Sequence, residues 1–248
     1  MYCIIFSKED EASINISKFV IEGRKWKKGQ LYVSDNFLIY FINDLHIYHD
    51  NIDKELEEKG YEVDALIFAS RHASLQNRKT LSVHAIGNFG PAEYGGREGE
   101  LVRCPPLLML SALKILKEKN LEEYEVCYEA THHGPYLEKP SFFIEVGSTK
   151  EEWNDKRACK AVAEAIIGIS EERAQVAIGI GGGHYAPRFT EIAFEKNVAF
   201  GHIAPKYVRI DNNILLKMKN STPGCEKAYL HGKIDIEEKI KEIGLEIG

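Results

Sequence analysis

The chain has 248 residues, of which 44% are hydrophobic and 28% are charged, and these proportions are typical of a globular protein with a sizeable core. It contains no apolar run of about 18 residues or more, so the sequence predicts no membrane-spanning helix. The net charge of −6 argues against a generic nucleic-acid-binding protein, because such proteins gain most of their affinity by neutralising phosphates.

Strand-like apolar runs and helical periodicities alternate from the N-terminus to the C-terminus. The opening sequence, MYCIIFSKEDEAS, has no basic region before its apolar run, so we expect a cytoplasmic protein without a secretory signal. The predicted strands cover residues 2–7, 36–43, 64–70, 80–87, 124–131, 141–147, 175–182 and 198–204. The predicted helices cover residues 13–22, 51–59, 107–120, 150–169, 187–197 and 234–243. This alternation predicts a single α/β domain over residues 1–248, with a mostly parallel, mixed sheet flanked by helices.

Two stretches outside these elements stand out. The segment from Gly87 to Pro106 is long and rich in glycine, so we expect a functional loop or flap. Arg24-Lys25-Trp26-Lys27-Lys28 is a basic cluster around an aromatic residue, and residues 184–233 carry eight Lys or Arg against four Asp or Glu. The cluster is either a solvated loop or an RNA contact, and the sequence favours neither.

Several histidines lie where predicted strands end. His72 follows the strand 64–70, His132 and His133 follow YEVCYEAT, and His184 follows AIGIGGG. Because the loops at the carboxyl ends of parallel strands form the ligand crevice of α/β proteins, we expect these side chains to converge on one site. The pair His132-His133 precedes a Gly-Pro turn and suits metal ligation or proton transfer.

The remaining histidines have a structural interpretation. His84 and His202 lie inside predicted strands, where a satisfied core histidine is the favoured interpretation. His46 and His49 flank the start of a helix, and His231 lies in a turn-like sequence. We therefore expect the last three at the surface.

The sequence GIGGGHYAPRFTE, residues 179–191, joins a glycine run to reactive side chains. Glycine has no Cβ and tolerates positive φ, so the backbone of Gly181–Gly183 can approach a ligand closely. Its N–H groups, beside a helix that begins near Pro187, predict a site for a phosphate, a carboxylate or a developing oxyanion. The run is neither a P-loop nor a GxGxxG fingerprint, because it lacks Lys-Ser/Thr and places His184 where the last glycine is required.

These residue types also suit metal chemistry. Catalytic zinc takes three His or carboxylate ligands and keeps one position open for water, which then ionises near neutrality and attacks a carbonyl. No HExxH helix is present, so any such site must assemble from distant loops. Glu145 is a carboxylate inside the apolar strand 141–147. It is either a general base or ligand, or a partly buried partner of Arg71 or Lys150.

Four motifs together are similar to one known family. ALIFASRHAS, LSVHAIGNFG, EATHHGPYLEKPSFFIEVGSTKEEW and AIGIGGGHYAPRFTEIA resemble the archaeal- and plant-type D-aminoacyl-tRNA deacylases, the D-tyrosyl-tRNA deacylase family. The resemblance extends over essentially the whole chain, with the segments in the family's order. It implies an α/β fold similar to those of nucleoside phosphorylases and peptidyl-tRNA hydrolases. It also implies a zinc-dependent hydrolase that cleaves the ester between a D-amino acid and the 3′-terminal ribose of tRNA.

This resemblance, taken with the histidine positions, gives each candidate residue an expected role. We expect zinc to be held by some of His132, His133 and His184, with the last two also acting in catalysis, and Glu145 or His72 to move the proton. We expect the amides of Gly181, Gly182 and Gly183 to stabilise the oxyanion or to hold the terminal phosphate. Arg188 or Arg71 is then expected to pair with RNA phosphate.

An acidic enzyme that holds only the aminoacylated acceptor end of tRNA needs few phosphate contacts, so the net charge agrees with the resemblance. We expect tRNA and D-amino acids as partners, no membrane association, and a monomer or a small homo-oligomer. The alternative enzymes are a nucleoside phosphorylase or a metal-dependent amidohydrolase of similar fold. An RNA-binding module without chemistry is the alternative from another class, and it leaves the histidines at the strand ends unexplained.

Overall fold

The computed structural model describes residues 1–248. Its helices are α1 (Glu11–Glu22), α2 (Ile52–Glu58), α3 (Pro106–Glu118), α4 (Lys150–Trp153), α5 (Lys156–Gly168), α6 (Pro187–Lys196), α7 (Asn212–Asn220) and α8 (Glu237–Glu242), with a 3₁₀ turn at His46–Tyr48. Its strands are β1 (Tyr2–Ser7), β2 (Lys27–Lys28), β3 (Tyr32–Val33), β4 (Phe37–Ile42), β5 (Ala65–Ala73), β6 (Thr80–Ala85), β7 (Glu125–Tyr128), β8 (Ser141–Ser148), β9 (Gln175–Gly181), β10 (Val198–Ala204), β11 (Lys227–His231) and β12 (Glu246–Ile247). None of the helices is long and apolar enough to cross a lipid bilayer.

The strands form two sheets. The large sheet has the order β2-β3-β4-β1-β5-β8-β6-β7, and the small sheet has the order β10-β9-β11-β12. Strands β4, β1, β5 and β8 run parallel, β6 is antiparallel to β8, and the small sheet is parallel throughout. The predicted α/β class with a mostly parallel, mixed sheet is confirmed, and the division into two sheets is an addition to it.

Different cores cover the two faces of the large sheet. The first face packs residues such as Ile67 and Ile144 with helices α1, α3 and α5. The second face packs Phe68 and Phe143 with α2 in a smaller core. Because successive residues of a strand point to opposite faces, the polar residues that follow Phe68 and Phe143 at every second position extend this second face.

A short stretch of backbone joins the two sheets. Beyond the end of β7, the N–H of Ala130 donates to the carbonyl of His184 at 2.8 Å, and the N–H of Thr131 donates to the carbonyl of Ile203 at 2.9 Å. From the other side, the N–H of Ala186 donates to the carbonyl of Tyr128 at 3.0 Å. The segment Tyr128–Thr131 therefore holds the loop after β9 and the end of β10 against the large sheet.

The structure corrects the prediction of one long helix over residues 150–169. The chain forms α4 and α5 instead, with a break after Trp153. Asp155 begins the second helix, because its side chain accepts from the N–H of Arg157 at 2.8 Å, as expected of a residue that favours the N-cap. The predicted capping box of Thr149 and Glu152 is confirmed, but it caps only the short α4.

The prediction that His46 lies at the surface is wrong. Its side chain is 1% exposed, because the 3₁₀ turn places the ring edge-on against Phe68 and Phe143 in the smaller core. His49 is half-buried between Asp44 and Glu55, with a ring nitrogen 2.6 Å from each carboxylate.

The predicted strand 124–131 is shorter in the structure, and several short elements were not predicted. They include β3 and the edge strand β2, which contains two residues of the basic cluster 24–28. Strand β2 is the outermost strand at one edge of the large sheet, and β7 lies at the other edge. The basic cluster is therefore separated from β7 by the full width of the sheet, and RNA contact by this cluster stays a prediction.

Candidate active site

Three strands of the large sheet present polar residues on its second face. Glu145 of β8 is paired with Ser70 of β5 and with Ser82 of β6. His72 and His84 lie two residues further along those neighbouring strands, so both point to the same face as Glu145. The Oε2 atom of Glu145 lies 3.7 Å from Nδ1 of His72 and 3.4 Å from Nε2 of His84.

The chain after β7 adds a second carboxylate and two histidines. Glu129 is the residue that sequence reasoning missed, and it is 1% exposed. Its Oε2 atom lies 3.3 Å from Nδ1 of His72 and 3.8 Å from Nε2 of His132. His133 is the next residue, and its ring centroid lies 4.3 Å from that of His132.

The loop after β9 completes the group. An antiparallel bridge pairs Glu129 with Tyr185, which places Nε2 of His184 only 3.0 Å from Oε2 of Glu129. The hydroxyl of Tyr185 lies 3.0 Å from Nε2 of His72. We call the resulting set, formed by five histidines and two glutamates, the histidine cluster: His72, His84, Glu129, His132, His133, Glu145 and His184.

Charge in the histidine cluster is set by burial and by opposite neighbours. Burial opposes the charged form of His72, but the carboxylates of Glu129 and Glu145 outweigh it and raise its pKa to about 11. Burial likewise opposes ionisation of Glu145, but His72 and His84 outweigh it and lower its pKa to about 2. The pKa of Glu129 also lies well below its ordinary value, since contact with His184 and His72 outweighs burial. At neutral pH the cluster therefore contains two carboxylates and at least one imidazolium.

Two of the histidines are held neutral with one nitrogen free. Burial, followed by the neighbouring His84, lowers the pKa of His133 to about 4, and the same causes lower the pKa of His132 well below its ordinary value. The Nδ1–H of His132 donates to the carbonyl of Ala130 at 2.8 Å, and that of His133 donates to the carbonyl of Gly134 at 2.6 Å. A carbonyl only accepts, so Nε2 of each ring is left as an unprotonated acceptor or ligand atom.

Two cavities open beside the histidine cluster. The larger cavity, about 510 Å³, is lined by cluster residues together with others that include Asp10, Leu45, Arg71 and Gln76. The smaller cavity, about 450 Å³, is lined by residues of the 87–106 loop and of the segment after β10, including Phe89, Tyr207 and Arg209. His132, His133 and Tyr94 border both cavities. The predicted loop 87–106 thus forms part of the wall of both cavities.

The structure brings together most of the residues that the sequence singled out. His72, His132, His133, Glu145 and His184 all belong to the histidine cluster, although their catalytic and metal-binding roles stay predictions. The alternative partners of Glu145 are wrong, because this carboxylate contacts His72 and His84 rather than arginine or lysine.

Two strand histidines expected in the core have different surroundings. His84 is fully buried, but its Nε2 has no hydrogen-bond partner and its ring lies 4.2 Å from that of His132. It therefore belongs to the cluster and is not a satisfied core residue. His202 is the core histidine that was expected, because its two nitrogens lie 3.1 Å from Oγ1 of Thr131 and 3.0 Å from the carbonyl of Val102.

The two arginines lie in different places. Arg71 lines the larger cavity, with its guanidinium 5.1 Å from the ring centroid of Trp153. Arg188 lies outside both cavities on the exposed side of α6, where it pairs with Glu191 at 3.2 Å. Pairing of either arginine with RNA phosphate stays a prediction.

The glycine run lies outside both cavities. Close contact with β11 accounts for two of its glycines. Gly181 has φ of +108°, and a Cβ there would lie 2.1 Å from the carbonyl oxygen of His231. Gly182 has φ of +76° and faces Nδ1 of the same histidine, whereas a Cβ on Gly183 would meet nothing nearer than 3.7 Å. The first two glycines therefore allow close contact between chain segments, and binding of a ligand by the run stays a prediction.

Replacing Gly181 by alanine is expected to lower the free energy of unfolding by about 2 kcal/mol or more, since the new Cβ meets backbone in an unfavourable conformation. The matched change, Gly183→Ala, should stay within about 0.5 kcal/mol of the wild type. Urea unfolding of both variants measures the difference. Equal losses from the two substitutions would contradict this account of the run.

An α/β fold whose buried histidines and carboxylates meet beside open cavities defines the class of the protein as an enzyme. The sequence model of the D-aminoacyl-tRNA deacylase family matches residues 59–247. The chain is 42% identical over 234 residues to the D-aminoacyl-tRNA deacylase of Pyrococcus abyssi, covering 89% of this chain and 86% of the relative. It is 39% identical to that of Pyrococcus furiosus, and this match covers 100% of this chain and 98% of the relative. The chain belongs to the D-aminoacyl-tRNA deacylase family.

A solved structure has the same fold. The crystal structure of a conserved protein of unknown function is similar to the whole chain, with a TM-score of 0.92 and 34% sequence identity. The match covers 100% of this chain and 94% of the other. The two-sheet arrangement is therefore the fold of a known structure.

Proposed function

We propose that this protein hydrolyses the ester bond of D-aminoacyl-tRNA in the cytoplasm and releases the free D-amino acid and tRNA. The observation that carries the proposal is the convergence of the family motifs on one place. Residues as distant in sequence as His72 and His184 meet around Glu129, beside two cavities that share a border. Two adjoining cavities suit an ester whose acyl group and alcohol group differ in chemistry.

The residues of the histidine cluster fit a zinc ion. Glu129, His132 and His184 each place a ligand atom within 4.8 Å of the others, and His84, His132 and His133 form a second such group. Oε1 of Glu129 is buried without a hydrogen-bond partner, and Nε2 of His84 lies 3.4 Å from Oε2 of Glu145 without the geometry of a hydrogen bond. Burial of such atoms is costly unless another group satisfies them, and a cation does so. When bound, zinc supplies a Lewis acid that lowers the pKa of water and polarises a carbonyl.

The chain's own residues provide proton donors and acceptors around the ester. His133 is neutral and keeps Nε2 free, so it is suited to accept a proton from the attacking water or to serve as a ligand. His72 is an imidazolium that lines the larger cavity. It is suited to give a proton to the departing 3′-oxygen of the ribose, because an alkoxide is a stronger base than imidazole. Glu129 and Glu145 keep His72 charged and fix its orientation.

The test of this proposal compares D-tyrosyl-tRNA with L-tyrosyl-tRNA, with and without a chelator. We expect hydrolysis of the D-ester and little of the L-ester. Removal of zinc should lower the rate at least tenfold, and added zinc should restore it, because the unpaired ligand atoms of the cluster then regain their cation. Release of the amino acid measures the rate, and metal analysis of the purified protein measures the bound zinc.

The possible results separate the alternatives. Full activity after complete removal of metal would contradict zinc but not deacylation. Phosphate-dependent release of a free base, or turnover of amides without RNA, in place of ester hydrolysis would favour the nucleoside phosphorylase or the amidohydrolase. RNA binding without hydrolysis of any aminoacyl ester would favour a binding module.

A further inference from the structure

The two cavities differ in chemistry although they meet at the same histidines. Phe89, Tyr94 and Tyr207 present aromatic surface to the smaller cavity, and Tyr94 and Tyr207 are 63% and 70% exposed. Proteins leave few large aromatic side chains this exposed, and such rings are the usual stacking surfaces for unpaired bases. Tyr207 borders only the smaller cavity.

The charges around the smaller cavity favour a nucleotide. Arg209 lines it, is exposed, and takes part in none of the ion pairs of the protein. A free guanidinium is a preferred partner for phosphate. The only carboxylate on the wall of this cavity is that of Glu93.

The larger cavity has a different lining. The carboxylates of Asp10 and Glu145 line it, and these residues are 1% and 2% exposed. These carboxylates can contact an ammonium group, although Arg71 and His72 line the same cavity and balance their charge. Leu45 and Ile47 add apolar surface, and the volume of about 510 Å³ accommodates an amino-acid side chain.

We propose that the substrate is divided at His132 and His133, with the 3′-terminal adenosine in the smaller cavity and the D-aminoacyl group in the larger one. The adenine base stacks on Tyr207, and the phosphate of the terminal nucleotide pairs with Arg209. The ester then lies where the two cavities meet. This assignment rests on the proposed function, because only a nucleoside ester of an amino acid needs both cavities at once.

The experiment measures the affinity of uncharged tRNA and of the same tRNA without its 3′-terminal adenosine. We expect the wild type to bind the complete tRNA about tenfold more tightly, since only that tRNA reaches the aromatic surface. Tyr207→Ala should abolish most of this difference. Tyr207→Phe should keep it, because the ring remains. In kinetics with D-tyrosyl-tRNA, Tyr207→Ala should raise KM about tenfold with kcat changed less than twofold.

Two control variants make the result specific. Tyr48→Ala removes another tyrosine, 56% exposed, that lines neither cavity, and it should leave the difference unchanged. Gln76→Ala alters the larger cavity alone and should also leave it unchanged. The assignment is overturned if the wild type shows no difference, if Tyr207→Ala retains it, or if Gln76→Ala removes it. The binding measurement uses uncharged tRNA and requires no turnover. Failure of the proposed function would therefore be seen separately, because the wild type would then hydrolyse no D-aminoacyl-tRNA.

Discussion

Replacing Glu129 by glutamine is expected to lower the rate of D-tyrosyl-tRNA hydrolysis by about 10²- to 10⁴-fold, the range for loss of a positioned acid–base group. The change keeps the shape of the side chain but removes the charge that contacts His72, His132 and His184. It also weakens the cause of the raised pKa of His72. Single-turnover deacylation, with metal content measured in parallel, tests the prediction.

The matched control for this substitution is Glu125→Gln. Glu125 precedes Glu129 by four residues but lies near the surface, where it pairs with Arg78. A surface ion pair contributes little to stability, so this variant should keep activity within about twofold. Near-normal turnover by the Glu129→Gln variant would remove Glu129 from the active site and leave its burial unexplained.

His184→Ala is expected to reduce turnover by about 10²-fold or more, through loss of an imidazole that lines the larger cavity and contacts Glu129 at 3.0 Å. The fold should survive, because the hydrogen bond that holds this loop uses the carbonyl of His184 and the N–H of Ala130, and alanine retains the carbonyl. The rate constant for D-tyrosyl-tRNA hydrolysis and the thermal unfolding midpoint are the two measurements.

His231→Ala serves as the control for His184. His231 is half-buried at the end of β11, beside the glycine run and outside both cavities. Its loss should change turnover by less than about twofold. If the His184→Ala variant keeps more than about a third of wild-type turnover, the assignment of this histidine to catalysis is wrong.

The sequence predicted that the histidines converge, from the rule that side chains at the carboxyl ends of parallel strands meet at one edge of a sheet. The structure brings them together in another way. His72 lies within β5, His132 follows β7, which runs antiparallel to β5, and His184 follows a strand of the other sheet. The family motifs then supported the choice. The fold class and the grouping of these histidines could therefore be predicted, but their place on one face of the large sheet could not.

Glu129 was missed although the argument applied to Glu145 also applied to it. Both are carboxylates within otherwise apolar strand-like sequence, YEVCYEAT and SFFIEVG. Burial of a carboxylate without lysine or arginine nearby in sequence is the signal that identifies such residues. The contact of Glu129 with His184 depends on the bridge between Glu129 and Tyr185, which lies more than 50 residues later, and periodicity carries no information on such pairing.

The glycine run shows a different limit. Its sequence fits a ligand-binding loop and a tight chain crossing equally well, because both need a backbone without Cβ. Only the position of His231 decides that Gly181 serves the crossing. The short strand β11 that contains His231 has little sequence signal of its own, so the outcome was not accessible from residues 179–191 alone.

Because the segment Tyr128–Thr131 joins the two sheets, it determines whether the chain can be separated into two active parts. The other cluster residues come from the first 148 residues, whereas the loop that contains His184 and Tyr185 is held beside them by backbone bonds to that segment. Neither the N-terminal nor the C-terminal portion of the polypeptide contains a complete set of reactive groups. We therefore expect a gene split between the two sheets to yield two inactive halves that regain activity only when they reassociate.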